Sequence, residues 1–361
     1  MKLLYVGDLT PGGTGLQRLQ ALERIGFEVR GMDTAPCATA GGWAAVRLRA
    51  RLQLGPVVAG LNRDLLAQAA AFDPGLVWFD KPTFVYPETI RRLRHAGRTT
   101  VNYVIDNPFH LLPRETGMRL IRRSIPEFAV NIVPRPSGLE DYRARGAGTV
   151  VLMPLAFDPW THYPPPAGLE PSVPLAYIGS PYGGRPSFVA GLAARGLPVS
   201  VRGALWRERH AGLAGGGLRL AGPVYGDAYR EAIWSAGACL AFITHAHRDV
   251  TAHKSFEIAG CGTLLLAERS DAHRAAFEEG SEALFFDGVE EAAAHAGWLA
   301  RNPAARAAIA RAGCRRAWRS GYANEERLAA AIAEFLPERG SALRTAAARA
   351  VAARRAAVGL D

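Results

Sequence analysis

Short apolar runs of strand length alternate with segments of helical period along almost the whole chain, and such a chain is built to form a mainly parallel sheet covered by helices. Lys2–Val6 is the first run; Leu16, Leu19, Leu22 and Ile25 then recur at helical spacing, and Phe27–Met32 returns to strand character. Further strands are expected near Gly75–Phe79, Thr99–Ile105, Ala129–Val133 and Thr149–Met153, with helices such as Glu88–Ala96 and Ser137–Arg145 between them. The aperiodic stretch after Phe157 holds Pro164, Pro165 and Pro166 in a row, and 159–172 reads as an interdomain linker. A second series follows, with strands expected at Pro174–Ile178, Pro198–Val201, Cys239–Ile243, Thr263–Ala267 and Ala283–Phe286. Its helices include Tyr225–Ser235 and Ser255–Gly260, and the chain is helical from Glu290 to about Leu336. The expected fold is α/β, with two Rossmann-like doubly wound domains, 1–158 and 173–336, facing a central cleft, and an Ala/Arg-rich helix over 337–361.

Composition narrows the function classes. The 361 residues suit two domains, and 49% hydrophobic with 21% charged residues excludes disorder as the main state. No apolar run approaches the ~20 residues of a membrane span, and Gly7 and Asp8 interrupt the first run before a signal-peptide core can form, so the expected location is the cytoplasm. Cys37, Cys239, Cys261 and Cys314 show no metal-ligand or redox spacing and read as buried thiols. The formal charge is +10, and only Lys2, Lys81 and Lys254 among the 43 basic residues are lysines. Such a surplus favours anionic partners, but no aromatic platform or recognised module supports nucleic acid. The segment Ser341–Gly359 is either a helix packed on the domains or a basic helix making peripheral contact with anionic lipid; its mostly alanine apolar face favours packing.

Glycine-rich turns end the first strand of each series. In Gly7-Asp8-Leu9-Thr10-Pro11-Gly12-Gly13-Thr14-Gly15, backbone amides and a helix N-terminus can approach an anion. The spacing does not reproduce G-x-G-x-x-G, although Asp33 follows the second strand where a ribose-binding acid of a dinucleotide site would sit. A tight structural turn explains the same glycines. The second turn, Gly179-Ser180-Pro181-Tyr182-Gly183-Gly184-Arg185, repeats the arrangement, with Arg185 opening a helix and Tyr182 available to stack on a base.

Other strand ends carry Asp80-Lys81, Asp106-Asn107 and Arg135. Asp106 is the candidate general base, because it follows the apolar Val101–Ile105 run and Asn107-Pro108 would hold it at the sheet edge. Helix or turn capping is the competing account of each of these Asx residues. The densest constellation is Arg248-Asp249-Val250-Thr251-Ala252-His253-Lys254-Ser255-Phe256-Glu257. Glu257 sits between apolar neighbours on a short helix, and a buried carboxylate needs a partner. Ribose hydroxyls can supply one, with Lys254 at i−3 meeting a diphosphate; an internal Lys254–Glu257 ion pair is the alternative.

The run HKSFEIAGCGTLLLAERSDAHRAAFEEGSEALFFD, together with YIGSPYGGR, GPVYGDAYREAIWSAGACLAF and VGDLTPGG, resembles GT-B glycosyltransferases and is especially similar to their CgeB-like, spore-maturation branch. The resemblance is most specific over 249–288. It implies a bacterial hexosyltransferase that moves a sugar from a nucleotide diphosphate donor to a hydroxyl acceptor, with no cofactor, in work such as envelope glycan synthesis; the sequence has no D-x-D-like carboxylate cluster and cationic groups can stabilise the leaving group, so the expected reaction is metal-independent. It implies donor contacts by Gly179, Ser180, Tyr182, Gly183, Arg185, His253, Lys254, Ser255 and Glu257. Glu257 would take the ribose, Lys254 with Arg185 the diphosphate. Gly12, Gly13, Thr14, Asp80 and Lys81 would line the acceptor side. Catalytic roles fall to Asp106, Asp249 and Lys254. Two departures stand out: Asp249 occupies the first position of the wider family's E-x7-E pair, and Lys254 replaces the branch's usual arginine. A sugar-nucleotide epimerase and a non-catalytic nucleotide-sugar-binding scaffold are the alternatives.

Overall fold

The computed structural model describes residues 1–110 and 116–360, so Asp361, the last residue of the expected terminal helix, lies outside the described residues. Two compact units emerge: 1–154 with 246–248 and 324–350, and 155–245 with 249–323 and the chain from 351 onward.

The first unit begins with β1 (Lys2–Gly7), α1 (Thr14–Arg24), β2 (Glu28–Asp33), α2 (Ala35–Thr39), α3 (Trp43–Leu52) and α4 (Pro56–Phe72). It continues through β3 (Leu76–Asp80), α5 (Pro87–His95), β4 (Thr99–Tyr103), α6 (Arg119–Ser124), β5 (Val130–Val133), α7 (Pro136–Arg143) and β6 (Thr149–Leu152). All six strands are parallel, in the order β2-β1-β3-β4-β5-β6. The inner strands are buried on both faces, and β1 and β3 are near-continuous apolar runs, LLYV and LVWF, while the edge strand β2, EVRGMD, is largely exposed.

The second unit holds β7 (Val173–Ile178), α8 (Arg185–Ala194), β8 (Val199–Arg202), α9 (Trp206–His210), β9 (Leu218–Ala221), α10 (Gly226–Trp234) and β10 (Ala236–Ala241). Then come α11 (His253–Gly260), β11 (Leu264–Glu268), α12 (Asp271–Ala276), β12 (Leu284–Phe286), α13 (Val289–Arg301) and α14 (Pro303–Arg319). Its sheet is also parallel, in the order β12-β11-β10-β7-β8-β9. The order reverses direction between β7 and β10, and the loops that leave those two strands at their C-terminal ends carry Gly179–Arg185 and 242–252. The last helices are α15 (Asn324–Ala333) and α16 (Pro337–Ala357), and α15 packs on α1 of the first unit, where Arg24 bonds Glu325 at 2.6 Å.

The parallel α/β reading of the sequence holds. Helices α3 and α4 and strand β9 go beyond it, and Asp106 lies three residues past the end of β4 at Tyr103 rather than directly at a strand end. The 159–172 segment begins as an ordered strap on the second unit: Asp158 accepts from the Thr161 amide and hydroxyl, and the Trp234 indole donates to Tyr163 O at 2.7 Å.

The first sheet reverses direction between β1 and β3, and there Asp80 is a buried structural counterion. It accepts from the Tyr5 hydroxyl at 2.5 Å and from Arg18 Nε at 2.6 Å, while Arg18 also lies over the Tyr103 ring. Gly7 makes this possible, since a Cβ there would stand 2.9 Å from Asp80 Cβ. Burial and the Asp80 charge push the Tyr5 phenol well above its ordinary pKa. Asp80→Ala would strand a buried guanidinium and is expected to cost about 3–5 kcal/mol in chemical denaturation. The double replacement Arg18→Met, Asp80→Leu is expected to lose much less; an Asp80→Ala loss of only about 1 kcal/mol, the level of a surface pair, contradicts this account.

Candidate active site

In the second unit the loop after β7 and the helix after β10 come together at the point where strand order reverses. Gly179 is pressed against Lys254: a Cβ at 179 would lie 2.6 Å from Tyr177 Oη and 3.3 Å from Lys254 Cε. The Gly179 amide donates to Arg202 O and its carbonyl accepts from the Trp206 indole, so this glycine supplies room rather than a free amide. Ser180 O accepts the Tyr177 hydroxyl. Gly183 takes a left-handed φ of 56° just before α8, and Tyr182 is exposed. Arg185, the first residue of α8, donates to Thr244 Oγ1 at 3.0 Å and lies near the Tyr182 and Phe242 rings. The Asp249 amide reaches the Thr244 carbonyl at 3.4 Å.

Glu257 is the centre of the group. It is only 5% exposed, yet burial, which would raise its pKa, is outweighed by His253, His162 and Lys254 and by the Tyr229 hydroxyl, and the carboxyl is held down at about 2. Tyr229, from α10, donates its hydroxyl to Glu257 Oε2, and Lys254 Nζ lies 5.0 Å above the Tyr229 ring and 3.4 Å from its oxygen. Lys254 therefore meets Glu257 through Tyr229, and the direct Lys254–Glu257 pair expected as an alternative is not made. The second oxygen, Oε1, has two imidazole nitrogens at 3.9 Å and no donor at hydrogen-bond distance among the described residues. His162 comes from the proline-rich strap; its Nδ1 accepts the Asp158 amide, so in the neutral ring Nε2 carries the hydrogen toward Glu257. Burial lowers the His162 pKa, which leaves Lys254 and Tyr229 to sustain the Glu257 charge when that imidazole is neutral. His253 Nε2 donates to Ala156 O at 2.9 Å.

Ser255 departs from the donor-contact role expected for it. It is fully buried and its hydroxyl donates to His273 Nε2 at 2.9 Å. His273 Nδ1 donates to Glu268 O, so Nε2 is the acceptor, and it also receives the Ala252 amide at 3.2 Å. One neutral imidazole thus ties down the start of the helix that carries Lys254 and Glu257. The thiols of Cys239 and Cys261 lie behind the same helix, both buried and both pushed up, Cys239 to about 12.

In the first unit, Lys81 has a left-handed φ of 51° and its Nζ reaches Asp106 Oδ2 at 2.5 Å; His247 Nδ1 stands 3.9 Å from Oδ1. Thr14 accepts from Arg18, Gly12 has a φ of 79°, and the Gly13 amide closes a turn onto Thr10 O. Gly15 is structural, because a Cβ there would sit 2.2 Å from Asp8 O. Asp33, the acid that a dinucleotide site would need, accepts the Leu9 and Ala35 amides and shapes this loop. Arg135 donates to Ile105 O at 2.5 Å.

Tyr229 and His162 are the residues that sequence reasoning passed over. Tyr229 stands in a segment that carried the resemblance, but nothing in its spacing links it to a glutamate 28 residues later. His162 lies in an aperiodic run, where no pattern exists to read.

Residues 185–333 match the glycosyl transferase-like family model. That span includes Arg185, Tyr229, Lys254 and Glu257. No curated protein matches the sequence. Among solved structures, Anabaena HepE in complex with UDP-glucose is similar at a TM-score of 0.63 and 16% identity, covering 94% of this chain and 100% of that one. Sucrose-phosphate synthase from Thermosynechococcus elongatus gives 0.65 at 13% identity, covering 95% and 100%. A Listeria monocytogenes protein described as a putative UDP-N-acetylglucosamine 2-epimerase gives 0.55 at 14%, covering 93% and 96%. The two parallel-sheet Rossmann-like domains match the GT-B fold of glycosyltransferases.

The His273 tie makes stability depend on pH. Burial lowers this imidazole from 6.5 to about 4, so the native state stays neutral while the unfolded chain binds a proton. The contribution is complete above pH 6.5 and is lost as pH falls toward 4, amounting to roughly 3 kcal/mol. Denaturation midpoints measured from pH 7 to pH 4 are expected to fall steeply in the wild type and more gently in His273→Gln. Equal slopes would remove His273 as the cause.

Proposed function

We propose that the protein is a glycosyltransferase that takes a sugar from a nucleotide diphosphate donor and passes it to a hydroxyl acceptor. The observation that carries the reading is Glu257: an ionised, nearly buried carboxylate with one oxygen open to a hydroxyl donor, next to the Lys254 ammonium. The match over 185–333 and the UDP-glucose bound by HepE support the donor class. In this reading Oε1 of Glu257 accepts ribose hydroxyls, and Lys254 and Arg185 face the diphosphate.

The bond that breaks is the one between the anomeric carbon and the diphosphate oxygen. Negative charge grows on the departing diphosphate, and Lys254, Arg185 and the amides at the start of α8 oppose it in a site of low dielectric. These cations take the place of a metal. The acceptor hydroxyl gives up its proton as the new bond forms. Asp106 receives it if the reaction inverts the anomeric centre; if the reaction retains it, Asp106 orients the acceptor. Asp249 is assigned to the donor sugar, with a shorter reach than the glutamate common in the wider family. By the run RDVTAHKSFE the chain falls in the CgeB-like branch, as a cytoplasmic hexosyltransferase of bacterial glycan synthesis.

Calorimetric titration with UDP and with UDP-sugars tests the reading. Glu257→Ala is expected to weaken binding about tenfold to a hundredfold, as loss of one or two hydrogen bonds to a charged group implies, while Tyr229→Phe changes it by less. Unchanged affinity in a folded Glu257→Ala protein would falsify the assignment. Turnover assays separate the alternatives: an isomerised sugar nucleotide identifies an epimerase, and tight binding without donor breakdown in the presence of acceptor extract identifies a scaffold.

A further inference from the structure

Helix α3 is inside out. Its buried residue is Arg49, which donates to the carbonyls of Ala38 and Ala40, while Trp43 is 73% exposed, Leu48 58% and Leu52 42%. Leu54, beyond its end, is 56% exposed, and Val57 is also exposed. The helix is nonetheless fixed in place. Gln53 follows it in a left-handed conformation, is completely buried, donates to Thr83 O and Gly117 O at 2.6 and 2.7 Å, and accepts the Leu120 amide at 3.0 Å. Polar contacts therefore anchor the inner side, and the apolar side chains are held outward.

The charged residues along this stretch, between Asp33 and Asp64, have one sign. From Thr34 to Arg63 the sequence has Arg47, Arg49, Arg51 and Arg63 and no Asp or Glu. Arg47 lies over the Trp43 ring at 4.7 Å, one turn along the helix, and Arg51 follows one turn further. An exposed tryptophan, exposed leucines and outward arginines together fit the boundary between lipid headgroups and acyl chains. A second copy of the chain fits poorly, because it would bring the same positive face against itself on a protein already at +10. The C-terminal helix, the basic segment first considered for lipid contact, has its larger apolar residues Leu343 and Val351 buried, together with Ala347, which leaves that helix less to insert.

We propose that α3 and the turn after it, Trp43 to Val57, form a docking surface for an anionic bilayer, with Trp43, Leu48, Leu52 and Leu54 entering the interface and Arg47 and Arg51 meeting phosphate headgroups. The surface is independent of the donor site and stands or falls separately from the assignment of Glu257.

Co-sedimentation of the full chain with vesicles tests it, using phosphatidylglycerol mixed with phosphatidylcholine against phosphatidylcholine alone. Wild type is expected to bind the anionic vesicles, with a blue shift of tryptophan emission that Trp43→Phe largely removes. Arg47→Ala with Arg51→Ala is expected to weaken binding about thirtyfold, from roughly 1 kcal/mol per basic residue near the surface. Leu48→Ser with Leu52→Ser is expected to abolish the binding that persists at high salt. These side chains are exposed, so circular dichroism and melting should match wild type. Binding unaffected by both double variants, or no binding by wild type, overturns the proposal. So does a concentration-dependent dimer in light scattering that Leu48→Ser with Leu52→Ser abolishes.

Discussion

An ionised carboxylate inside a protein persists only where its surroundings repay the lost hydration, and around Glu257 that compensation comes from three directions. Tyr229 gives a hydrogen bond from α10, Lys254 gives a charge from the same helix, and His162 and His253 stand 3.9 Å from the other oxygen. The two oxygens are held differently, Oε2 by the Tyr229 hydroxyl and Oε1 by imidazole nitrogens at ion-pair distance. The start of α11, which carries Lys254 and Glu257, is itself fixed by the buried His273.

The first unit shows the opposite outcome from similar topology. Where its strand order reverses, Asp80 is neutralised by a buried arginine and a tyrosine, and its charge is spent on holding β1, α1 and β3 together. In both units a glycine just after, or at the end of, the first strand makes the arrangement possible: Gly7 admits Asp80, and Gly179 admits the stem of Lys254. The same backbone solution thus yields a structural ion pair in one unit and a buried carboxylate with a nearby cation in the other. The difference lies in the partner, since Arg18 satisfies Asp80 directly while Lys254 reaches Glu257 only through Tyr229.

The alternation of apolar runs with helical periods made the parallel α/β fold legible, because strands buried on both faces have no choice but to be apolar. Glu257 and Lys254 were legible for a related reason: charge between Phe256 and Ile258 on a short helix contradicts its local pattern. Contacts that join distant segments were not. Tyr229 and His162 reach Glu257 from 28 and 95 residues away, and Ser255 looked like part of the ligand-facing set because only the structure shows His273 behind it. Helix α3 escaped the pattern because its period is inverted, with arginine inward and leucine outward.

The choice of lysine adds an argument that composition alone could not carry. Subtracting three lysines from 43 basic residues leaves 40 arginines, so a chain that otherwise uses arginine keeps lysine at 2, 81 and 254, at the start of β1, in the loop after β3 and at the start of α11. At 254 the ammonium stands above the Tyr229 ring with its stem against Gly179. A guanidinium is broader, planar and fixed in its fork, whereas an ammonium is a compact point charge with rotatable donors. In a space closed on one side by a glycine backbone and on the other by a tyrosine face, the compact cation fits where a planar fork would be crowded. Lys81 is confined in a comparable way, by a left-handed backbone and a 2.5 Å contact to Asp106. The total positive charge therefore does not locate the Glu257 site, whereas the lysine at 254, held between Gly179 and Tyr229, does.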